Sequence, residues 1–81
     1  MIAKIPLTLM PYSDGGFTVT SPVLKELVTE GDTLEEALEN VKDALIAVME
    51  LYEDTGRKLP PGLFVDIVDN PIAMDAVVSV P

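Results

Sequence analysis

From Lys4 to Met10 the chain alternates, with Ile5, Leu7 and Leu9 separated by Pro6, Thr8 and Met10. A period of two sends successive side chains to opposite faces, so this stretch predicts a strand with one buried side. Pro6 has no N–H for a ladder, which assigns it to an edge. Pro11 to Gly16 is dense in turn formers, and Asp14-Gly15 or Gly15-Gly16 can supply the positive φ of a tight hairpin. Phe17-Thr18-Val19-Thr20 alternates again as a second strand. Ser21-Pro22 interrupts the pairing, Val23 to Glu26 makes a short connection, and Leu27-Val28-Thr29-Glu30 reads as a third strand ending at Gly31. The product is a three-stranded antiparallel meander.

The period then changes. Asp32-Thr33-Leu34-Glu35-Glu36 places Thr33 and Glu36 at the spacing of a capping box, hydroxyl to backbone amide and carboxylate back again. Behind it Leu34, Ala37, Leu38, Val41, Leu45, Val48, Met49 and Tyr52 recur at intervals of three and four, one apolar stripe to lie against the sheet. The outer face carries Glu35, Glu39, Lys42, Asp43, Glu50 and Glu53. Gly56 suits a left-handed stop, and Arg57 and Lys58 follow where positive charge suits a helix carboxyl end. The spacing predicts a helix from about Leu34 to Thr55.

Beyond the Leu59-Pro60-Pro61-Gly62 turn the pattern is weaker. Leu63 to Val68 is β-branched enough for a strand, yet Leu63, Phe64, Ile67 and Val68 also share a helical face. The expectation is a short helix or irregular segment, because Asn70-Pro71 suits the cap and first position of another helical turn. Ala76-Val77-Val78-Ser79-Val80 predicts a strand that returns to the sheet. The fold class is α+β: a three-stranded antiparallel meander, a long helix packed on one face, a short helical or irregular segment and a returning carboxyl-terminal strand. Residues 1–81 read as a single domain without internal repeat.

Composition narrows what such a domain can do. A chain of 81 residues supports one modest core, burying roughly 60% of its unfolded surface, so self-association as a dimer or tetramer is expected. The apolar run from Leu63 to Val80 is expected mostly to pack in the core, with a homo-oligomer interface accounting for the rest. Fourteen acidic residues against five basic ones, with no histidine, give a formal net charge of −9. That balance repels phosphate backbones and anionic lipid, and favours encounter with a basic protein. No cysteine is present, which removes thiolate metal sites and thiol redox chemistry. Met1 to Pro6 lacks the apolar run and cleavage site of a signal peptide, and no stretch approaches the ~18 apolar residues of a membrane span. A cytoplasmic location is expected.

Little of this chain suits catalysis. Without histidine, Ser13, Ser21 and Ser79 have no base to activate them. Gly15-Gly16 lacks the lysine and the strand-loop-helix setting of a phosphate loop. A two-metal nuclease needs convergent carboxylates, and the non-helical candidates are Asp14, Asp32, Asp66, Asp69 and Asp75. Most sit where turns and caps favour aspartate: Asp14 before Gly-Gly, Asp32 before the capping threonine, Asp69 before Asn-Pro. The chain is expected to be no enzyme and to hold neither metal nor cofactor. The acidic helix face reads as a solvated surface or as the face that meets a basic partner, and composition does not separate the two.

Asp14-Gly15-Gly16-Phe17-x-Val19, Ser21-Pro22, and Gly31-Asp32-Thr33-x-Glu35-Glu36-Ala37-x-x-Asn40-x-x-x-Ala44 together resemble the HicB family of antitoxins, over about Ile5 to Tyr52. The resemblance implies a degenerate RNase H-like domain that has lost nuclease activity. It further implies an antitoxin that binds and neutralises HicA, a small basic toxin of double-stranded-RNA-binding fold that cleaves messenger RNA. Glu35, Glu39 and Asp43 are the candidate contacts. Where the family usually has a Leu-Pro-Gly type turn between its second and third strands, this chain has Leu24-Lys25-Glu26-Leu27. Many members also carry a carboxyl-terminal DNA-binding domain that represses their own operon; this chain is expected to be a short form without one, and to bind no nucleic acid directly. The alternatives are an orphan oligomeric domain of structural or regulatory role and, by fold analogy alone, a residual metal-dependent nuclease.

Overall fold

A computed structural model describes residues 2–65 and 71–81. Six elements succeed one another: β1 (Ile2–Ala3), β2 (Thr8–Pro11), β3 (Phe17–Thr20), β4 (Val28–Gly31), α1 (Leu34–Asp54) and β5 (Phe64–Val65). β2, β3 and β4 form the antiparallel meander in that order, with Leu9 opposite Val19 and Val19 opposite Thr29. α1 packs across β4 and β3. The architecture is α+β as expected, with a second small sheet added to it.

The first strand is divided. Ile2–Ala3 and Thr8–Pro11 are separate strands, and Lys4 to Leu7 between them belongs to neither ladder. Pro6, which cannot donate, sits in that gap. The apolar alternation nevertheless persists, since Ile5, Leu7 and Leu9 are half-buried while Pro6, Thr8 and Met10 are exposed. β1 pairs with β5 in a two-stranded sheet, Ile2 opposite Val65 and Ala3 opposite Phe64, and the Lys4 amide donates to the Leu63 carbonyl at 2.8 Å. Phe64 and Val65 are therefore strand, which corrects the helical or irregular expectation for that segment. The amino-terminal residues supply the ladder partner that decides between two locally equal readings. Residues 66–70, including Asp66, Asp69 and the Asn70 cap position, lie outside the described residues.

The predicted strand over Ala76 to Val80 is not formed. Residues 71–81 have no regular structure, and Met74, Val77, Val78 and Val80 are exposed. A strand needs a ladder partner as well as β-branched residues, and no described strand pairs with this segment.

The β2–β3 hairpin turns over Ser13, Asp14 and Gly15. The Gly15 amide donates to the Tyr12 carbonyl (3.1 Å), and the Tyr12 amide to the Gly16 carbonyl (2.7 Å). Gly15 takes φ +101°, so the loop is a turn followed by a left-handed glycine, the three-residue hairpin form. In the β3–β4 connection the Ser21 hydroxyl accepts from the Val23 and Leu24 amides, both at 3.3 Å. The Leu27 amide then donates to the Leu24 carbonyl at 2.9 Å. This turn drives Leu24 and Leu27 fully into the core, where they meet Val48, Tyr52 and Leu63. Leu24-Lys25-Glu26-Leu27 thus closes the connection with a hydrogen-bonded turn of its own, anchored by its two leucines.

Candidate functional site

The helix that carries the acidic face is bounded by two well-formed ends. At its start the Thr33 hydroxyl accepts from the Glu36 amide at 3.1 Å, satisfying one of the orphan donors of the first turn. Glu35 and Glu36 lie in that turn, where negative charge is favourable. At its finish the Gly56 amide donates to the Glu53 carbonyl (3.2 Å), and the Arg57 amide to the Tyr52 carbonyl (2.9 Å). With Gly56 at φ +70°, this is the paired closure of a Schellman motif. The predicted span and the observed one agree at the start and differ by one residue at the end.

Between these ends Leu34, Ala37, Val48 and Tyr52 are buried, and Val41, Ala44 and Leu45 pack against the core. Glu35, Glu39, Lys42, Asp43, Glu50 and Glu53 are all exposed. Glu35, Glu39 and Asp43 follow at intervals of four, so they stand one above the other on the helix surface. Like charges at that spacing repel one another, and none of the three forms an ion pair among the described residues, where the pair found is Arg57 with Glu26. Among the described residues the stripe forms no ion pair, with Lys42 the cation on the same outer face.

A concavity lies beside the hairpin, lined by Tyr12, Asp14, Glu30, Asp32, Glu36 and Asn40. The hydrogen bonds here belong to the fold. Asp14 Oδ1 accepts from the Gly16 amide at 3.2 Å, and Asn40 Nδ2 donates to the Glu30 carbonyl at 2.8 Å, tying the helix to β4. Among the described residues no three carboxylates are arranged to hold a metal ion. Asp14 sits in the hairpin turn and Asp32 just before the capping Thr33, and Asp75 lies in the irregular exposed segment.

One constellation escaped sequence reading. Glu26, in the β3–β4 connection, accepts from the Tyr52 hydroxyl at Oε1 (2.9 Å) and from Arg57 Nη1 at Oε2 (2.8 Å). The Arg57 guanidinium also lies 4.3 Å from the centre of the Tyr52 ring. The Arg57 and Tyr52 hydrogen bonds, in that order, hold the Glu26 carboxyl below its ordinary range. The same hydrogen bond to Glu26, followed by burial, pushes the Tyr52 hydroxyl up. Tyr52 and Arg57 lie 26 and 31 residues from Glu26, a separation that no local motif records. The signal that was legible, Gly56 followed by a cation, located Arg57 at the helix end without naming its partner.

No family model matches the chain. Among curated proteins it is similar to Antitoxin HicB 1 of Photorhabdus laumondii, 44% identical over 73 residues that make up 88% of this chain and 47% of that protein. It is 35% identical to Antitoxin HicB of Escherichia coli K12 over 57 residues, 70% of this chain and 41% of that protein. A UPF0150 protein of Thermoplasma acidophilum is 33% identical over 57 residues, 70% of this chain and 83% of that protein. The chain spans about half the length of the curated antitoxins it matches.

Proposed function

Since this chain belongs to the HicB-like antitoxin family, we propose that it is the neutralising domain of a toxin–antitoxin pair, binding a small basic HicA-type toxin that cleaves messenger RNA. The observation that carries this reading is the acidic stripe on α1, which forms no ion pair among the described residues, in a chain of net charge −9 similar to proteins named as antitoxins. A ribonuclease must present a basic surface to a phosphate backbone. A rigid acidic helix competes for that surface, and long-range attraction raises the rate of encounter. Glu35, Glu39 and Asp43 are assigned to this contact, and the site of action is the cytoplasm, where messenger RNA is the toxin's target.

Neutralisation on this reading is stoichiometric masking, with no reaction catalysed by the antitoxin chain. Co-expression of the chain with a HicA-type toxin should restore growth, and purified chain in molar excess should protect RNA from cleavage by that toxin. A toxin that stays fully active under excess would remove the reading. A second role, as an orphan oligomeric domain, is favoured by the exposed Met74, Val77, Val78 and Val80 and by the short UPF0150 relative, most of whose length this chain covers. Sedimentation of the chain alone as a dimer or tetramer, together with no capture of toxin, would favour that role.

A further inference from the structure

The acidic ridge of α1 does not stop at Asp43. Ile46, Glu50 and Glu53 follow at intervals of three, four and three, continuing one side of the helix. Ile46 is 47% exposed, a large apolar side chain flanked on its ridge by carboxylates. It borders a groove whose floor is Met49 and Leu59, whose end wall is the Tyr52 ring with Arg57 over it, and whose rim is Glu50 and Glu53. Leu59 reaches this position because the Schellman closure at Gly56 turns the chain back along the helix.

The charge of this groove is negative despite Arg57. The guanidinium is neutralised by Glu26 at 2.8 Å, which leaves Glu50 and Glu53 as the rim charges free to pair outward. We propose that this groove is the anchor of the partner interface, taking an aliphatic side chain from a basic segment of the toxin while that segment's lysines or arginines pair with Glu50 and Glu53. The proposal rests on the antitoxin reading and deepens it, by adding an apolar anchor at the carboxyl half of α1 to the charged contacts at its amino half.

Charge complementarity selects this occupant over others. A second copy of the chain would bring another net −9 against the ridge, and RNA or an anionic membrane would be repelled by it. The open face of the meander, bearing Thr8, Met10, Thr18, Thr20 and Val28, presents Glu30 as its carboxylate and offers a basic partner far less. Affinity at protein interfaces concentrates in a few apolar anchors surrounded by polar groups that exclude water, and a groove with this floor and rim has that form.

The test uses the full chain and a catalytically inactive HicA-type toxin. Ile46→Lys and the pair Glu50→Lys with Glu53→Lys should each weaken binding by about tenfold or more, while Glu30→Lys on the open sheet face should stay within about threefold of the parent chain. Thermal melting checks that each variant is folded. Because a variant could fail for want of folding, amide shift mapping on the unaltered chain gives an independent readout, with changes expected at Ile46, Met49, Glu50, Glu53 and Leu59. Toxin binding that survives both helix variants, or shifts confined to the meander's open face, would overturn the groove assignment and leave the antitoxin reading intact. No binding of toxin by the unaltered chain would overturn both.

Discussion

Gly31 shows most directly how one residue sets the geometry of this fold. A Cβ placed there would lie 2.3 Å from the Ala37 amide nitrogen and 2.7 Å from its Cα. Both are backbone atoms of the helix's first turns and cannot rotate away. The Gly-Asp-Thr sequence that marks the strand-to-helix passage is thus a packing requirement: glycine lets the helix start lie directly on β4, aspartate leads into the cap, and threonine caps. Gly31→Ala should destabilise the chain by about 3 kcal/mol or more, as overpacking against an unyielding backbone does, measured by denaturant unfolding. Gly15 is required for a different reason, its φ of +101°, with open space where a side chain would be.

At the scale of elements, the Glu26–Tyr52–Arg57 cluster joins the β3–β4 connection to the end of α1, two pieces remote in sequence. The sign of its pH dependence follows from the lowered Glu26 pKa. A carboxylate depressed in the folded state adds stability that is fully present above its unfolded pKa, and that is lost as pH falls through the folded one. The contribution should therefore be complete above about pH 5 and disappear through the range of pH 4 and below. Glu26→Gln, which keeps the shape and removes the charge, should melt below the parent chain at pH 7. The two melting curves should converge on acidification, a difference read by circular dichroism across that range.

At the scale of the whole molecule, the largest fully buried side chains come from the connection rather than from the helix. Leu24 and Leu27 are fully buried, whereas Leu38 and Leu45 on the helix stripe are half-buried. Leu24→Ala should cost about 2 to 5 kcal/mol and Leu45→Ala less, because a half-buried side chain has less transfer energy to lose and its site collapses more readily. Equilibrium unfolding of the two variants compares them. A small domain that draws its largest fully buried side chains from a connecting turn ties that turn's conformation to global stability, since the turn hydrogen bond between Leu24 and Leu27 and the core form together.

The parts of this protein legible in its sequence are those written by local chemistry. The alternation through Leu9 and Val19, the glycine turn after Asp14, the capped helix from Leu34 and its exposed Glu35, Glu39 and Asp43 each depend on residues a few positions apart, where period and turn propensity act. The charge of −9 needed only counting. What the tertiary structure decided are the pairings whose partners lie far along the chain. Phe64–Val65 became strand because Ile2–Ala3 supplied a ladder, while Ala76 to Val80, richer in β-branched residues, stayed irregular where no described strand pairs with it. Glu26 found Tyr52 and Arg57 because two leucines drew its turn into the core. Backbone groups and carboxylates are satisfied by whatever the whole fold brings near, and a linear pattern carries no record of that proximity.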